Sequence, residues 1–370
     1  MEVNYLRLDQ SDVELPGQAF DIESLTTNGI SVQYSWEQSF GLDHVELALW
    51  YNRTRLDGDN RRPAKRRQFP IYDDRDFVAE TDVDSLSLGY RLAGTWGDVD
   101  CPHLTAGTDL RSVEQELNEI AISGTVGPIH LDGNNSPIPR SRTVDPGIFV
   151  EQVLPVTEAT TLKAGGRVDY FCAAPLKDVW QLGPIGTKGQ PYPNVVGTDD
   201  VKHDRLLWLL YLVSRTAFDE HWSVTLGAGH SERPPNLTEL YVAESFMFLL
   251  QNGLNTVTGD PLLRPERLWQ LDASVSFTSA RLRWEATGFL AWIQDKITFE
   301  NLSVVGEPNQ PVDQVNLKYV NTALATLAGV ELRGRCLLRP WLTAFATLSY
   351  VAGEDWTRNG DFATDQVSLT

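Results

Sequence analysis

The chain has 370 residues, 42% hydrophobic and 22% charged, and a formal net charge of −19. That length can form one large all-β domain, and an acid excess of this size argues against nucleic acid as a partner. No run of eighteen apolar residues occurs, so no membrane-spanning helix is expected.

Strict alternation begins early. Ile30, Val32, Tyr34 and Trp36 alternate with Ser31, Gln33, Ser35 and Glu37, and Val45, Leu47, Leu49 and Tyr51 follow. The same period of two recurs over Leu86–Trp96, Leu162–Tyr170, Trp222–Ala228, Trp269–Phe277, Leu282–Trp292 and Leu342–Tyr350. Period two means strand, with one face apolar and the other wet. About fourteen strands are expected, several of ten or more residues, which is the length a tilted strand needs to cross a bilayer.

The connections alternate as well. Short turns are read at Ser39–Leu42, Gly97–Cys101, Pro155–Ala159, Phe218–Glu220, Thr278–Ala280 and Arg339–Pro340. Long loops are read at Arg53–Asp82, Ile120–Asp145, Cys172–Lys202, Leu240–Pro265 and Asn301–Asn316. Short turns at one end and long loops at the other are the asymmetry of an outer-membrane barrel. Trp284 and Trp292 share a face eight residues apart, about 20 Å along the membrane normal, and are read as marks of the two aromatic girdles.

Most other clusters have plainer readings. The basic run Arg53, Arg55, Arg61, Arg62, Lys65, Arg66 and Arg67 suits lipopolysaccharide phosphates, but a solvated loop is the simpler account. Cys101, Cys172 and Cys336 are odd in number and far apart, so neither a disulfide framework nor a zinc site is expected. Leu56–Asn60 and Leu131–Asn135 look like calcium loops but lack the terminal glutamate, and turn chemistry explains them. No hydrolase, metalloprotease or phosphate-loop motif is present, and no cofactor or metal is expected. Aromatic residues Tyr241, Phe246 and Phe248, with Arg233 at the loop base, are candidate ligand contacts; self-packing of the loop is the competing account.

Four patterns in the last third of the chain carry a resemblance. They are Arg233-Pro234-Pro235, then Glu239-Leu240-Tyr241, then Gly259-Asp260-Pro261-x-Leu263-x-Pro265-Glu266, and finally Asn321-x7-Gly329-x-Glu331. In this order they resemble the barrel domain of TonB-dependent outer-membrane receptors. The resemblance implies an antiparallel up-and-down transmembrane β-barrel. It also implies structural roles for Pro234, Pro235, Glu239, Leu240, Gly259, Pro261, Pro265, Glu266, Asn321, Gly329 and Glu331. Its implied function is non-catalytic, energised uptake of a scarce ligand, such as a ferric siderophore or a cobalamin-like compound, across the bacterial outer membrane. Its implied partners are outer-membrane lipid and lipopolysaccharide, a small-molecule or metal-chelate ligand, and the TonB complex, reached through a plug domain.

Residues 1–370 are expected to be part of that barrel. The first ten residues carry no leader pattern, and neither a plug domain nor a closing aromatic-ended strand is read. About fourteen strands of a twenty-two-stranded barrel are expected to form an open, curved sheet, with edges near Val3–Leu8 and Phe362–Thr370. The rival reading is a soluble β-rich carbohydrate-binding protein or glycoside hydrolase, suited by the tryptophans and carboxylates. A passive porin fits the loop motifs less well.

Overall fold

A computed structural model describes all residues except 16–19, 40, 67–77, 99–101, 123–124, 127–128, 131–132, 177–179, 182–189, 192–195, 244–255, 302–315 and 358–370. Fourteen strands form one sheet: β1 (Glu2–Val13), β2 (Asp21–Ser39), β3 (Leu42–Asp59), β4 (Val78–Trp96), β5 (His103–Ile122), β6 (Gly133–Pro155) and β7 (Thr160–Pro175), then β8 (His203–Ala217), β9 (Trp222–Arg233), β10 (Thr256–Thr258), β11 (Glu266–Thr278), β12 (Leu282–Asn301), β13 (Asn316–Arg339) and β14 (Leu342–Asp355). Two helical turns, α1 (Pro63–Arg66) and α2 (Leu237–Tyr241), lie in the long connections. No helix among the described residues is long and apolar enough to cross a membrane.

The long strands pair antiparallel in chain order. The exception is β10, which pairs parallel with the start of β13 through Thr256↔Asn316, Val257↔Leu317 and Thr258↔Lys318. Among the described residues β1 pairs only with β2 and β14 only with β13, so the sheet is open, as the sequence predicts. The chain exposes 22296 Å², against about 15,000 Å² for a compact monomer of this mass. Much of the excess belongs to the convex face, which no second layer covers among the described residues. The predicted last strand, Phe362–Thr370, lies outside the described residues.

The register puts the alternating apolar residues on the convex face. Across six strands one row reads Leu212, Ala228, Leu271, Leu290, Ala328 and Ala352; the next reads Ser214, Leu226, Ala273, Gly288, Val330 and Tyr350. Leu212, Leu226, Leu271, Leu290, Val330 and Tyr350 stand exposed there. The concave face carries ion pairs instead, as between Arg167 and the carboxylates Asp109 and Asp169, while towards the long-loop end the convex face turns polar too, with Arg53 on Asp84 and Glu114 on Arg142.

The strands run further than the alternation predicts. Thirteen of the fourteen are 12 to 24 residues long. The residues expected in the first long loop continue β3 and β4: Arg55 pairs with Asp84, Asp57 with Asp82 and Asp59 with Glu80. Beyond a lipid layer both faces of a strand are wet, so the polar alternation disappears while the backbone ladder continues. The strand ends bracket the predicted short turns at 155–159, 218–220, 278–280 and 339–340, all at one end, while Ser39–Leu42 and Gly97–Cys101 lie partly outside the described residues.

Candidate functional site

The four sequence patterns meet in one hydrogen-bonded assembly at the long-loop end. Arg233 ends β9 and faces Glu266, which starts β11, as its cross-strand partner. Its guanidinium donates to Glu266 Oε2 at 2.7 Å and to Glu239 Oε2 and Oε1 at 2.9 and 3.1 Å. Pro234 and Pro235 cannot extend the ladder, and the chain turns into α2. Asn236 caps that helix: its side chain accepts from the Glu239 N–H at 2.8 Å, and Glu239 accepts the Asn236 N–H at 2.8 Å. The reciprocal pair is a capping box, so Glu239 serves both the helix and Arg233.

The return of the loop packs under this helix. Gly259 N–H donates to Val242 O at 2.5 Å, and Asp260 N–H donates to Glu239 O at 3.0 Å. A Cβ at Gly259 would stand 2.7 Å from the Leu240 carbonyl, so no larger residue fits this approach. Pro261 and Leu263 are buried, and the Pro261 carbonyl accepts from His203 Nδ1 at 3.2 Å. Glu266 Oε1 accepts the Ile297 N–H at 2.8 Å.

Asn321 closes the network. Its side-chain oxygen accepts the Arg264 N–H at 2.8 Å, while its amide nitrogen donates to Arg264 O at 3.0 Å and Asp295 O at 2.6 Å. Asp295 has a left-handed φ of 55°, and its carboxylate takes Arg264 and Arg267 at 2.7 and 2.5 Å. Gly329 lies lower on the same strand, under the Phe289 ring, and Glu331 points from it into the concave space.

Electrostatics follow from this packing. Burial works to raise the Glu266 carboxyl, but Arg233 and the Ile297 N–H outweigh it and hold it below its ordinary value. Burial works against the Arg233 charge, and Glu266 and Glu239 more than restore it. Burial pushes the Tyr241 hydroxyl up and lowers His203, the latter partly offset by the Pro261 bond.

Of the predicted ligand contacts, Tyr241 has no exposed surface, and its hydroxyl donates to Val201 O at 2.8 Å. It packs with Leu240, Leu237, Leu263, Phe171 and Ile297 in the main apolar cluster. A second cluster joins Val242 and Val257 of the loop to Leu117 of β5 and Ile138 of β6, with Leu317 of β13 beside it. The loop therefore folds into the concave space and bridges its walls. Arg233 is engaged by two carboxylates of the loop base. Phe246 and Phe248 lie outside the described residues.

Trp208, Trp222, Trp269, Trp284 and Trp292 form two rows on the convex face. Trp269 is the cross-strand partner of Trp292, with Trp208 at 6.1 Å from Trp269 by ring centroids. Phe277 partners Trp284, and Trp222 lies 4.9 Å from Phe277 and 5.5 Å from Trp284. The sequence reading named only Trp284 and Trp292; the cross-strand register shows the rest. The basic run of the first loop is largely spent internally: Arg61 on Glu80 and Asp59, Arg62 on Glu14, and Lys65 on Asp21 at 3.0 Å. His203, Arg264, Arg267 and Asp295 were missed. Only Asp295, a charge at an inward position between Ile293 and Ile297, left a mark in the alternation.

The chain matches a family model, "TonB dependent receptor-like, beta-barrel", over residues 5–369. The chain belongs to the TonB-dependent receptor family. That family lies in the bacterial outer membrane and consists of transporters rather than enzymes, which removes the glycoside hydrolase reading. No curated protein matches the chain by sequence. Among solved structures it is similar to the copper transporter OprC, with 20% identity and a TM-score of 0.73, covering 93% of this chain and 49% of OprC. It is also similar to the hemophore receptor HasR of Serratia marcescens, in a complex with HasA and heme, with 15% identity and a TM-score of 0.64, covering 95% and 51%. The FrpB iron transporter of Neisseria meningitidis is similar at 14% identity and a TM-score of 0.55, covering 90% and 44%. The chain thus spans about half the length of these relatives, and at these identities the likeness is one of fold.

Proposed function

We propose that this chain is the greater part of the barrel wall of a TonB-dependent receptor that takes up a scarce ligand, a ferric siderophore or a cobalamin-like compound. The observation that carries the reading is the assembly of Arg233, Glu239, Glu266 and Asn321, which anchors a long loop inside the concave space. Such a loop narrows the mouth of a barrel and presents a fixed surface to an incoming ligand. Burial of Tyr241 and engagement of Arg233 in ion pairs favour Phe246 and Phe248 as the contacts among the four candidates. The apolar convex face with its two tryptophan rows meets lipid and lipopolysaccharide, and the concave face receives the plug domain that links the receptor to the TonB complex. The similar solved proteins include a copper transporter, an iron transporter and a hemophore receptor holding heme, and iron in two of these three supports an iron chelate as the ligand.

The test is uptake of radiolabelled ferric siderophores and cobalamin by cells whose other receptors are deleted and which express the full-length protein. Uptake that disappears with TonB is expected. Uptake of neither class, with free copper still imported, would overturn the ligand assignment and leave the transporter reading standing.

A further inference from the structure

We propose that His230 is a proton-operated clasp that fastens the outer ends of β8, β9 and β11 together when the surroundings turn acid. The wall is forked at this point. β8 and β9 pair from Ala217↔Ser223 only up to Leu210↔His230. Above that pair both strands go on apart: β8 stays on β7 as far as His203↔Ala173, and β9 stays on β11 as far as Arg233↔Glu266. A side chain bridges the fork where the ladder has stopped, since Glu232 Oε2 accepts the Trp208 N–H at 3.2 Å. The motif loop leaves β9 just above, after Arg233.

His230 sits where the fork opens. Its row on the convex face reads Leu210, His230, Trp269 and Trp292, so an ionisable group stands within the outer tryptophan row. Its ring lies between two indoles, 3.9 Å from Trp208 and 4.3 Å from Trp269 by centroids. The side chain is 2% exposed, and neither ring nitrogen has a hydrogen-bond partner among the described residues. A neutral imidazole brings one N–H donor and one acceptor nitrogen, and burial here leaves both unmet. Leucine would fill the row without that cost.

The imidazolium fits where the imidazole does not. Indole faces attract a cation, and Glu232 Oε1 stands 3.8 Å from His230 Nε2, a small side-chain adjustment from a charged hydrogen bond. Glu232 then holds the Trp208 N–H with one oxygen and His230 with the other, which ties β8 to β9, while Trp269 brings in β11. Other charges on this face do not compete. Arg267 of β11, the cross-strand partner of Glu232, is held by Asp295 at 2.5 Å. β8 presents Trp208 and Leu210, and its nearest charged residue on that face, Asp204, is four positions from Trp208. Histidine changes charge between about pH 5 and 8, so acidification closes the fork. The clasp opposes His203 of the loop anchor: acid charges both, which loosens the loop inside and fastens the wall outside. The loop can then move without the wall parting toward lipid.

Hydrogen exchange at Trp208 in the full-length receptor in detergent tests the clasp, read by mass spectrometry and corrected for intrinsic exchange. Protection should rise at least about fivefold between about pH 8 and about pH 5.5. Glu232→Gln keeps an acceptor for the Trp208 N–H but no charge, and His230→Leu keeps the packing; each should lose the rise, with heat-modifiable gel mobility verifying the folded barrel. In the wild-type receptor, the His230 ring NMR signal should move from imidazole to imidazolium over the same interval. A fixed ring signal, protection that is unchanged or falls, or a rise that persists in either folded variant would overturn the proposal.

Discussion

The Phe289 ring lies over Gly329, its cross-strand partner, in the space a Cβ would occupy. A Cβ there would also stand 3.1 Å from the Tyr350 carbonyl. The ring covers a glycine that would otherwise leave the β12–β13 ladder bare. Gly329→Ala should therefore destabilise the folded barrel by about 1–3 kcal/mol through overpacking, read from urea unfolding in detergent. In a Phe289→Ala background the same substitution should cost much less.

Arg233→Met should loosen the motif loop. Glu239 and Glu266, 11% and 18% exposed at the side chain, lose the cation between them. A charged hydrogen-bonded group contributes about 1.5–3 kcal/mol; Arg233 is itself 44% exposed, so screening puts the expected loss near the lower end. Faster proteolysis within residues 234–265 of the folded receptor, with the rest of the barrel still resistant, is the expected result.

Acidification should release the same loop in two stages. His203 is buried, and its folded-state value lies below the ordinary 6.5. The unfolded chain then takes up a proton before the folded one does, so this stability is complete above pH 6.5 and declines as pH falls below it. Glu266, also held below its ordinary value, contributes stability that is lost only further down, through the carboxylate range. The groups around His203 are Asp200, Asp204, Arg205, Phe171 and the Pro261 carbonyl. Hydrogen exchange of residues 259–263 should quicken from about pH 6.5 downward, and His203→Gln should remove the first stage while leaving the second.

Leu290→Arg and Thr287→Arg separate the two faces of β12. Leu290 is 50% exposed on the convex side, while Thr287 donates to Ser274 at 3.1 Å on the concave side. An arginine at the lipid midplane costs about 2–4 kcal/mol. Equal loss of membrane insertion in the two variants would reverse the assignment of the faces.

Sidedness can be read on whole cells. An epitope inserted between Asn301 and Asn316 should be labelled on intact cells, whereas one at Thr278–Ala280 should be reached only after the outer membrane is opened.

The lipid-belt part of each strand was legible because lipid on one side and water on the other impose a period of two. Trp269 to Phe277 shows this from the letters alone. The upward continuation of β3 through Arg55, Asp57 and Asp59 was not legible, since a strand wet on both faces has the composition of a loop. The motif residues could be identified in sequence, but their joint geometry could not. Arg233 and Asn321 are 88 positions apart, and only the register of β9, β11, β12 and β13 brings them to one place. The inward path of the loop was hidden for a related reason. Its buried apolar residues Leu237, Leu240 and Tyr241 have helical spacing for only a single turn, too short to read as an element, and Leu263 continues no period, because a folded-in loop buries side chains wherever the wall admits them.

The three-residue ladder between β10 and β13 has a mechanical consequence. The loop is bonded to the wall at two separated places: at its base through Arg233, Glu239 and Glu266, and far along its length through the backbone of Thr256–Thr258. It is a brace fixed at both ends rather than a flap with one hinge. To swing it outward, the ladder to the edge of β13 must first be unzipped; to widen the wall at β13, the brace must be stretched. Movement of the mouth and breathing of the wall are thus a single motion, and a molecule that pulls on one feels the stiffness of the other.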